Sequence, residues 1–308
     1  MTELTVLVTD RHDEAEGVFS LDLSAVGDAG LPQWSPGAHI DVSVGAAGVR
    51  QYSLCGDPAS DHWRIAILHD PAGRGGSDHL FRTALPGTRL QVSLPRNNFE
   101  LRDSEEYVFV AGGIGITPIL PMLVAAERAG RTWTLYYGAR TRAHLAFAAD
   151  LRRYSRVRLV PQDEAGLLPL AEIFGEHSGA TVYCCGPEPM LAAVETEGAR
   201  AGSEVRTERF TARIVDTAAD REFEVRLAID GRSLPIPAGR SIVDVLESAG
   251  ITLITSCREG TCGSCETAVL EGVVEHRDSV LTAQERESGR TMLPCVSRAR
   301  SEVLVLDL

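Results

Sequence analysis

The sequence predicts a multidomain protein with three successive segments: an all-β one, an α/β one with a parallel sheet, and a small α+β one. Three observations carry this. Residues 1–102 are short alternating polar and apolar runs cut by Gly and Pro, the pattern of a barrel or sandwich. Residues 105–210 alternate strand-like with helix-like runs, the pattern of a parallel sheet. Residues 221–308 hold a hairpin signal, one short helix and a loop dense in cysteine.

In the first segment the strands are LTVLVTDR, GVFSLDLSA, AHIDVSV, RQYSLCG, HWRIAILHD and TRLQVSLP, with turns such as Pro36-Gly37 and Pro86-Gly87 between them. In the second, YVFVAGG is a buried strand that runs into the helix ITPILPMLVAAERAG. WTLYYGAR, VRLVPQ and TVYCCGP are further strands, and EPMLAAVETEGARAG is a second helix. Residues 211–220 read as a linker. The third segment opens with FEVRLAIDGRSLPIPAG, a hairpin turning at Asp230-Gly231. SIVDVLESAG follows as a helix stopped by Gly250, and VLVLDL is a terminal strand.

At 44% hydrophobic and 24% charged residues, the 308-residue chain has an ordinary globular composition with room for two or three domains. A net charge of -13 disfavours nucleic acid and suits a basic protein partner that docks by electrostatic steering. No apolar run is long enough for a membrane span. Every basic residue other than His is Arg, which reads as a compositional bias of the genome.

Of the seven cysteines, Cys257, Cys262 and Cys265 are spaced C-x4-C-x2-C, and Cys295 stands 29 intervening residues further on. This is the ligand spacing of a plant-type 2Fe–2S cluster. Zinc sites use two separate short knuckles, whereas here three thiols crowd one loop, with Gly260 and Gly263 to let its backbone approach the cluster. An odd thiol count and an N-terminus without a leader pattern argue against a disulfide framework and for a reducing cytoplasm.

Four other motifs carry chemistry. AGGIGITP (Ala111 to Pro118) ends a strand and opens a helix, with Gly112, Gly113 and Gly115 allowing a tight turn and Thr117 placed to cap the helix. Such an N-terminus receives phosphate. YCCGPEPM puts Cys185, Gly186 and Pro187 at the carboxyl edge of the same sheet, where ligands of open α/β sheets bind. RQYSLCGDP offers Arg50 for a phosphate, Tyr52 for a flat ring and Ser53 for a ring nitrogen. In GRGGSDHLF, Gly75, Gly76 and Ser77 form a candidate anion nest.

Together these motifs, in this order, resemble phthalate dioxygenase reductase-type proteins and are similar to vanillate demethylase reductases, over nearly the whole chain. The resemblance implies a six-stranded antiparallel flavin β-barrel (1–102), an α/β nicotinamide domain (105–210) and a β-grasp ferredoxin domain (221–308). It implies that Arg50, Tyr52 and Ser53 hold the flavin, with Ser53 near its reactive nitrogen, and that Gly75, Gly76 and Ser77 hold its phosphate. It further implies that Gly113, Gly115 and Thr117 face the dinucleotide, that Cys185 lies near its ring, and that Phe210 shields the flavin. No adenine platform follows GRGGS, which favours FMN over FAD.

Arg140 and Arg142 stand where a 2′-phosphate would lie and so point to NADPH; the resemblance points instead to NADH. The implied activity is NADH-driven electron transfer through FMN and 2Fe–2S to a separate terminal oxygenase, of the Rieske non-haem-iron type. A haem-thiolate monooxygenase is the alternative partner, and a non-turnover carrier or redox sensor the alternative class. Hydride transfer requires no catalytic triad, so the eight His are discounted, with His276 read as a surface hydrogen-bonding residue.

Overall fold

In the computed structural model, which describes residues 3–27, 30–212 and 217–308, the strand alternation of the first segment resolves into one antiparallel sheet. Its strands are β1 (Glu3–Ala15), β2 (Val18–Ala25), β3 (Ala38–Ser43), β4 (Val49–Ser53), β5 (Trp63–Leu68) and β6 (Arg89–Ser93), ordered β4-β3-β6-β1-β2-β5, with the short β7 (Arg96–Asn97) beside β3. A Leu54–Ile65 bridge ties the end of β4 to β5 and closes the barrel. Alternate residues such as Val6, Val8, Leu21, Leu23, Ile40, Val42 and Ile65 fill its interior. One helix, α1 (Gly76–Thr83), plugs it with Leu80.

The second segment forms a parallel sheet of β8 (Glu106–Gly112), β9 (Thr132–Ala139), β10 (Val157–Pro161), β11 (Thr181–Cys185) and β12 (Val205–Glu208), ordered β10-β9-β8-β11-β12. Its helices include α2 (Ile116–Arg128), α3 (Ala148–Leu151), α4 (Gln162–Ala165), α5 (Leu170–Glu176) and α6 (Glu188–Ala201). Strand order reverses at β8, so the crevice where ligands bind lies at the carboxyl ends of β8 and β11. Val18, Cys55, Ala66 and Phe99 pack in the same apolar cluster as Phe109, Ile119, Trp133 and Tyr183. Barrel and parallel sheet therefore share a core and form one compact unit, Met1–Glu208.

The second unit, Arg209–Leu308, holds β13 (Phe223–Leu227), β14 (Ser233–Ile236), α7 (Ile242–Ser248), β15 (Thr267–Glu271), β16 (Val274–Glu275), α8 (Ala283–Ser288), β17 (Thr291–Met292), β18 (Arg298–Ala299) and β19 (Val303–Leu306). The main sheet runs β14-β13-β19-β15-β17, with first and last strands parallel at its centre and α7 packed on it through Ile242, Val245 and Leu246. Ser241 caps α7 by accepting from the Asp244 N–H at 3.1 Å. Of the expected linker 211–220, residues 213–216 lie outside the described ones. Its last residue, Asp220, belongs to the second unit: it accepts from Arg277 at 2.6 Å and lies 3.5 Å from Arg298.

Candidate functional site

The first cradle forms where β4 meets the Gly-rich loop. The Arg50 guanidinium donates to the carbonyls of Ala47 (2.9 Å), Val49 (2.8 Å) and Arg74 (2.9 Å), so one side chain ties three backbone segments into a rim. Gly76 is needed beneath it: a Cβ there would sit 2.6 Å from Arg50 Cγ and 2.7 Å from Nε. Gly75 takes a left-handed φ of 79° as α1 begins, and Ser77 Oγ accepts from the Asp70 N–H at 3.0 Å. A cation, a helix N-terminus and a left-handed glycine at one point are the donor set for a phosphate. Tyr52 leans into the barrel core, and burial pushes its phenol up to about 12. Ser53 is buried opposite His39, an imidazole that burial holds neutral, down at about 4.

The second cradle is the carboxyl edge of β8 and β11. Gly115 lies against the Cys185–Gly186 peptide so closely that a Cβ would come within 2.3 Å of the Cys185 carbonyl oxygen and 2.7 Å of the Gly186 nitrogen. Gly112 similarly faces Pro187. The two motifs read separately in the sequence are thus one surface. Tyr137 fixes it by donating to the Gly113 carbonyl at 3.0 Å, while Gly113 adopts φ 54°. Thr117 does not cap the helix. Gly115 is the N-cap, and Thr117, the second helical residue and buried, donates back to Ile114 O at 3.0 Å. The Cys185 thiol is wholly buried, and burial pushes its pKa up. Beside it across the β11–β12 pairing sits Glu208, with Oε2 lacking a partner and burial pushing the carboxyl to about 8. Arg140 is exposed just past β9, its carbonyl accepting from the Asp163 N–H at 3.2 Å. Phe210 lies in the second unit with its side chain exposed.

In the second unit the four thiols sort into two interacting pairs, Cys257 with Cys262 and Cys265 with Cys295. Hydrogen bonding from Cys262 holds the Cys257 thiol down, and the same interaction pushes Cys262 up. Cys257, Cys262, Cys265 and Cys295 would hold a 2Fe–2S group, which would supply one-electron chemistry there. Among the described residues, no three His, Cys, Asp or Glu converge on a single ion. The loop N–H groups of Glu259 and Ser264 reach the sulfurs of Cys257 and Cys262 at 3.3 and 3.4 Å, as an anionic cluster requires. Gly260 (φ 71°) and Gly263 (φ 72°) are both left-handed, and a Cβ on Gly260 would meet Val296 at 2.6 Å. The donor set therefore fits a 2Fe–2S group. His276 is not a surface hydrogen-bonding residue: both ring nitrogens are buried without a hydrogen-bond partner among the described residues, Nδ1 lying 3.8 Å from Asp278 Oδ2.

Sequence reasoning missed Tyr137, Glu208 and the segments α5 and β12. Tyr137 alternates inward on β9, which was legible; the target of its hydroxyl was not.

Taken together, the fold and these cradles define an iron–sulfur oxidoreductase that uses a pyridine nucleotide. Residues 109–196 match the oxidoreductase NAD-binding domain family, and residues 226–300 match the 2Fe-2S iron-sulfur cluster binding domain family. The chain is 43% identical over 300 residues to phenoxybenzoate dioxygenase subunit beta of Ectopseudomonas oleovorans (96% of this chain, 94% of the relative). The solved structure of phthalate dioxygenase reductase, described as a modular structure for electron transfer from pyridine nucleotides to [2Fe-2S], is 36% identical with a TM-score of 0.72 and covers 99% of this chain and 98% of its own. An intact type IV self-sufficient cytochrome P450 monooxygenase is 38% identical with a TM-score of 0.93, covering 99% of this chain but only 41% of its own. The chain belongs to the phthalate dioxygenase reductase family.

Proposed function

We propose that this chain is the reductase component of a multicomponent oxygenase. It takes electrons from NADH and passes them through FMN and a 2Fe–2S cluster to a Rieske non-haem-iron oxygenase carried on a separate chain. FMN supplies the conversion of a two-electron donor into one-electron steps. The observation that carries the reading is the cysteine loop, where the Glu259 and Ser264 N–H groups reach the sulfurs of Cys257 and Cys262 at 3.3 and 3.4 Å, as an anionic iron–sulfur centre requires; such a centre is a one-electron acceptor and needs a converter upstream.

In this reading the barrel is the flavin domain (1–102), the parallel sheet the nicotinamide domain (105–210) and the last segment the ferredoxin domain (221–308), with 211–220 between them. Arg50, Gly75, Gly76 and Ser77 bind the FMN phosphate; Tyr52 and Ser53 orient the ring, and Phe210 covers it. Gly113, Gly115, Thr117, Arg140, Gly186 and Pro187 receive the dinucleotide, with Cys185 packed behind the nicotinamide. Cys257, Cys262, Cys265 and Cys295 hold the cluster. No helix among the described residues is long and apolar enough to cross a membrane, and free thiols with a cluster suit the cytoplasm.

A haem-thiolate partner is the second reading, favoured by the TM-score of 0.93 to the P450 structure. An anaerobic NADH titration followed by absorbance and low-temperature EPR tests the electron path. Flavin and cluster bleach together, with a rhombic 2Fe–2S signal that Cys295→Ser lacks while retaining NADH–ferricyanide activity. Flavin bleaching without that signal in the unaltered protein would overturn the reading. Reduction of each purified partner, Rieske or haem, then separates the two acceptors.

A further inference from the structure

Two charged side chains beyond the carboxyl end of β9 are unaccounted for by the electron path. In this sheet β9 is the strand next to β8, with Gly138 opposite Gly112 and Ala139 opposite Pro161. In dinucleotide-binding sheets that strand end meets the adenosine ribose: an acid there takes the 2′-hydroxyl, and an Arg there takes a 2′-phosphate. The chain presents both. Arg142 follows β9, and Glu164 lies on α4, which follows β10.

The two are engaged with each other. Arg142 Nε donates to Glu164 Oε1 at 3.0 Å, and its Nη2 donates to Oε2, a fork-to-fork pair. The Nε–Nη2 edge of the guanidinium, which would grip a phosphate side-on, is occupied. Asp163 lies beside the pair, its N–H donating to the Arg140 carbonyl at 3.2 Å. Arg142 thus has two anions about it, Glu164 paired with it and Asp163 near by. A 2′-phosphate would have to displace Glu164 from Arg142 and leave an unpaired carboxylate beside a dianion, a repulsive arrangement of the kind that sets specificity. An unphosphorylated ribose leaves the pair intact. Arg140, whose side chain pairs with nothing, supplies a residual attraction, so the outcome is a preference and not an absolute exclusion.

We propose that Glu164 is a specificity-determining residue that selects NADH over NADPH by holding Arg142 in a bidentate pair. This rests on the pyridine-nucleotide reading of the site above. It also resolves the conflict at Arg140 and Arg142, whose charge alone points to NADPH.

The test is the ratio of kcat/KM for NADPH to that for NADH with ferricyanide as acceptor, alongside Kd values for NADP+ and NAD+ from titration calorimetry. Glu164→Gln frees the guanidinium, and both ratios shift toward the phosphorylated nucleotide by about tenfold, the scale of one gained charge-assisted phosphate contact. Arg142→Ala alone leaves the ratios near those of the unaltered protein, because Arg142 is already committed. The double variant Glu164→Gln/Arg142→Ala loses the gain. The proposal is overturned if the unaltered protein uses both nucleotides equally, if Glu164→Gln leaves both ratios unchanged, or if Arg142→Ala alone depresses NADPH use. A protein that neither oxidises nor binds either nucleotide sinks the underlying pyridine-nucleotide reading instead.

Discussion

Adding one methyl group at Gly115 should separate the two strand-end turns that form the nucleotide edge. Its Cβ would lie 2.3 Å from the Cys185 carbonyl oxygen and 2.5 Å from the carbonyl carbon, where ordinary contact begins at 3.4 Å. The obstacle is backbone at the end of β11, which is hydrogen-bonded to β8 and β12 on either side. It has no side-chain torsion to turn, so the whole turn must retreat by about 1 Å, a displacement that can cost about a hundredfold when it misplaces reacting groups. Overpacking of this kind costs about 1–3 kcal/mol, and Tm falls by about 2–4 °C per kcal/mol for a unit of this size. Gly115→Ala should therefore lose at least about tenfold in kcat/KM for NADH, along with several degrees of Tm. Gly130→Ala is the control for a methyl group that meets nothing: Gly130 has a positive φ (67°), unlike Gly115 at −64°, and nothing lies within 4 Å of its Cβ, so it loses stability alone through backbone strain. Stopped-flow flavin reduction and differential scanning fluorimetry read the two effects. A Gly115→Ala protein with hydride transfer within twofold of the unaltered one would refute the packing argument.

Arg50→Ala removes the guanidinium that ties Ala47, Val49 and Arg74 together. FMN should bind the apoprotein about 10- to 100-fold more weakly, the range for one charge-assisted contact and its rim, as read by quenching of flavin fluorescence; unchanged binding would remove Arg50 from the phosphate site. Glu208 sets a pH dependence. Its folded carboxyl titrates near 8, above the ordinary glutamate value, so its contribution is fully present below about pH 4.5 and lost as pH rises through 8. Relative to Glu208→Gln, the unaltered protein should lose Tm as pH rises from about 5 to about 8 and no further above that; parallel Tm curves for the two would place Glu208 in contact with solvent.

Long alternating strands were legible because burial on one face leaves a period of two. The barrel strands show that alternation, whereas β8 and β11 are apolar runs buried on both faces, and α2, α6 and α7 are longer runs set off by Gly, Pro or Ser. What failed were short elements held by their neighbours. VRTE became β12 because it completes the sheet edge beside β11, although none of its residues is fully buried. LAEIFGE became α5 because Ile173 and Phe174 fill an apolar cluster with Val108 and Val194. Thr117 looked like a cap by residue type, but the chain begins its helix at Ile116, which sends the hydroxyl inward. The cysteine spacing announced a cluster, yet only three-dimensional placement divides the thiols two and two. Arg142 and Glu164 are 22 positions apart, and no local pattern links them.

The connector between barrel and parallel sheet is stapled by two tyrosines, Tyr107, which donates to Arg102 O at 2.8 Å and accepts from the Ser104 N–H at 2.9 Å, and Tyr183. Tyr183, on β11 and fully buried, donates to Glu100 O at 3.1 Å and accepts from the Arg102 N–H at 2.8 Å, with Phe99 packed edge-on against its ring at 5.4 Å. A chain crossover made near residue 102 would therefore sever contacts that both halves need. Chimeras exchanging only the barrel with a relative should aggregate or melt early unless they carry the matching Tyr183 strand. A crossover after Glu208 breaks none of these contacts. The smallest piece of this chain that can be exchanged with its contacts whole is then the barrel and sheet together.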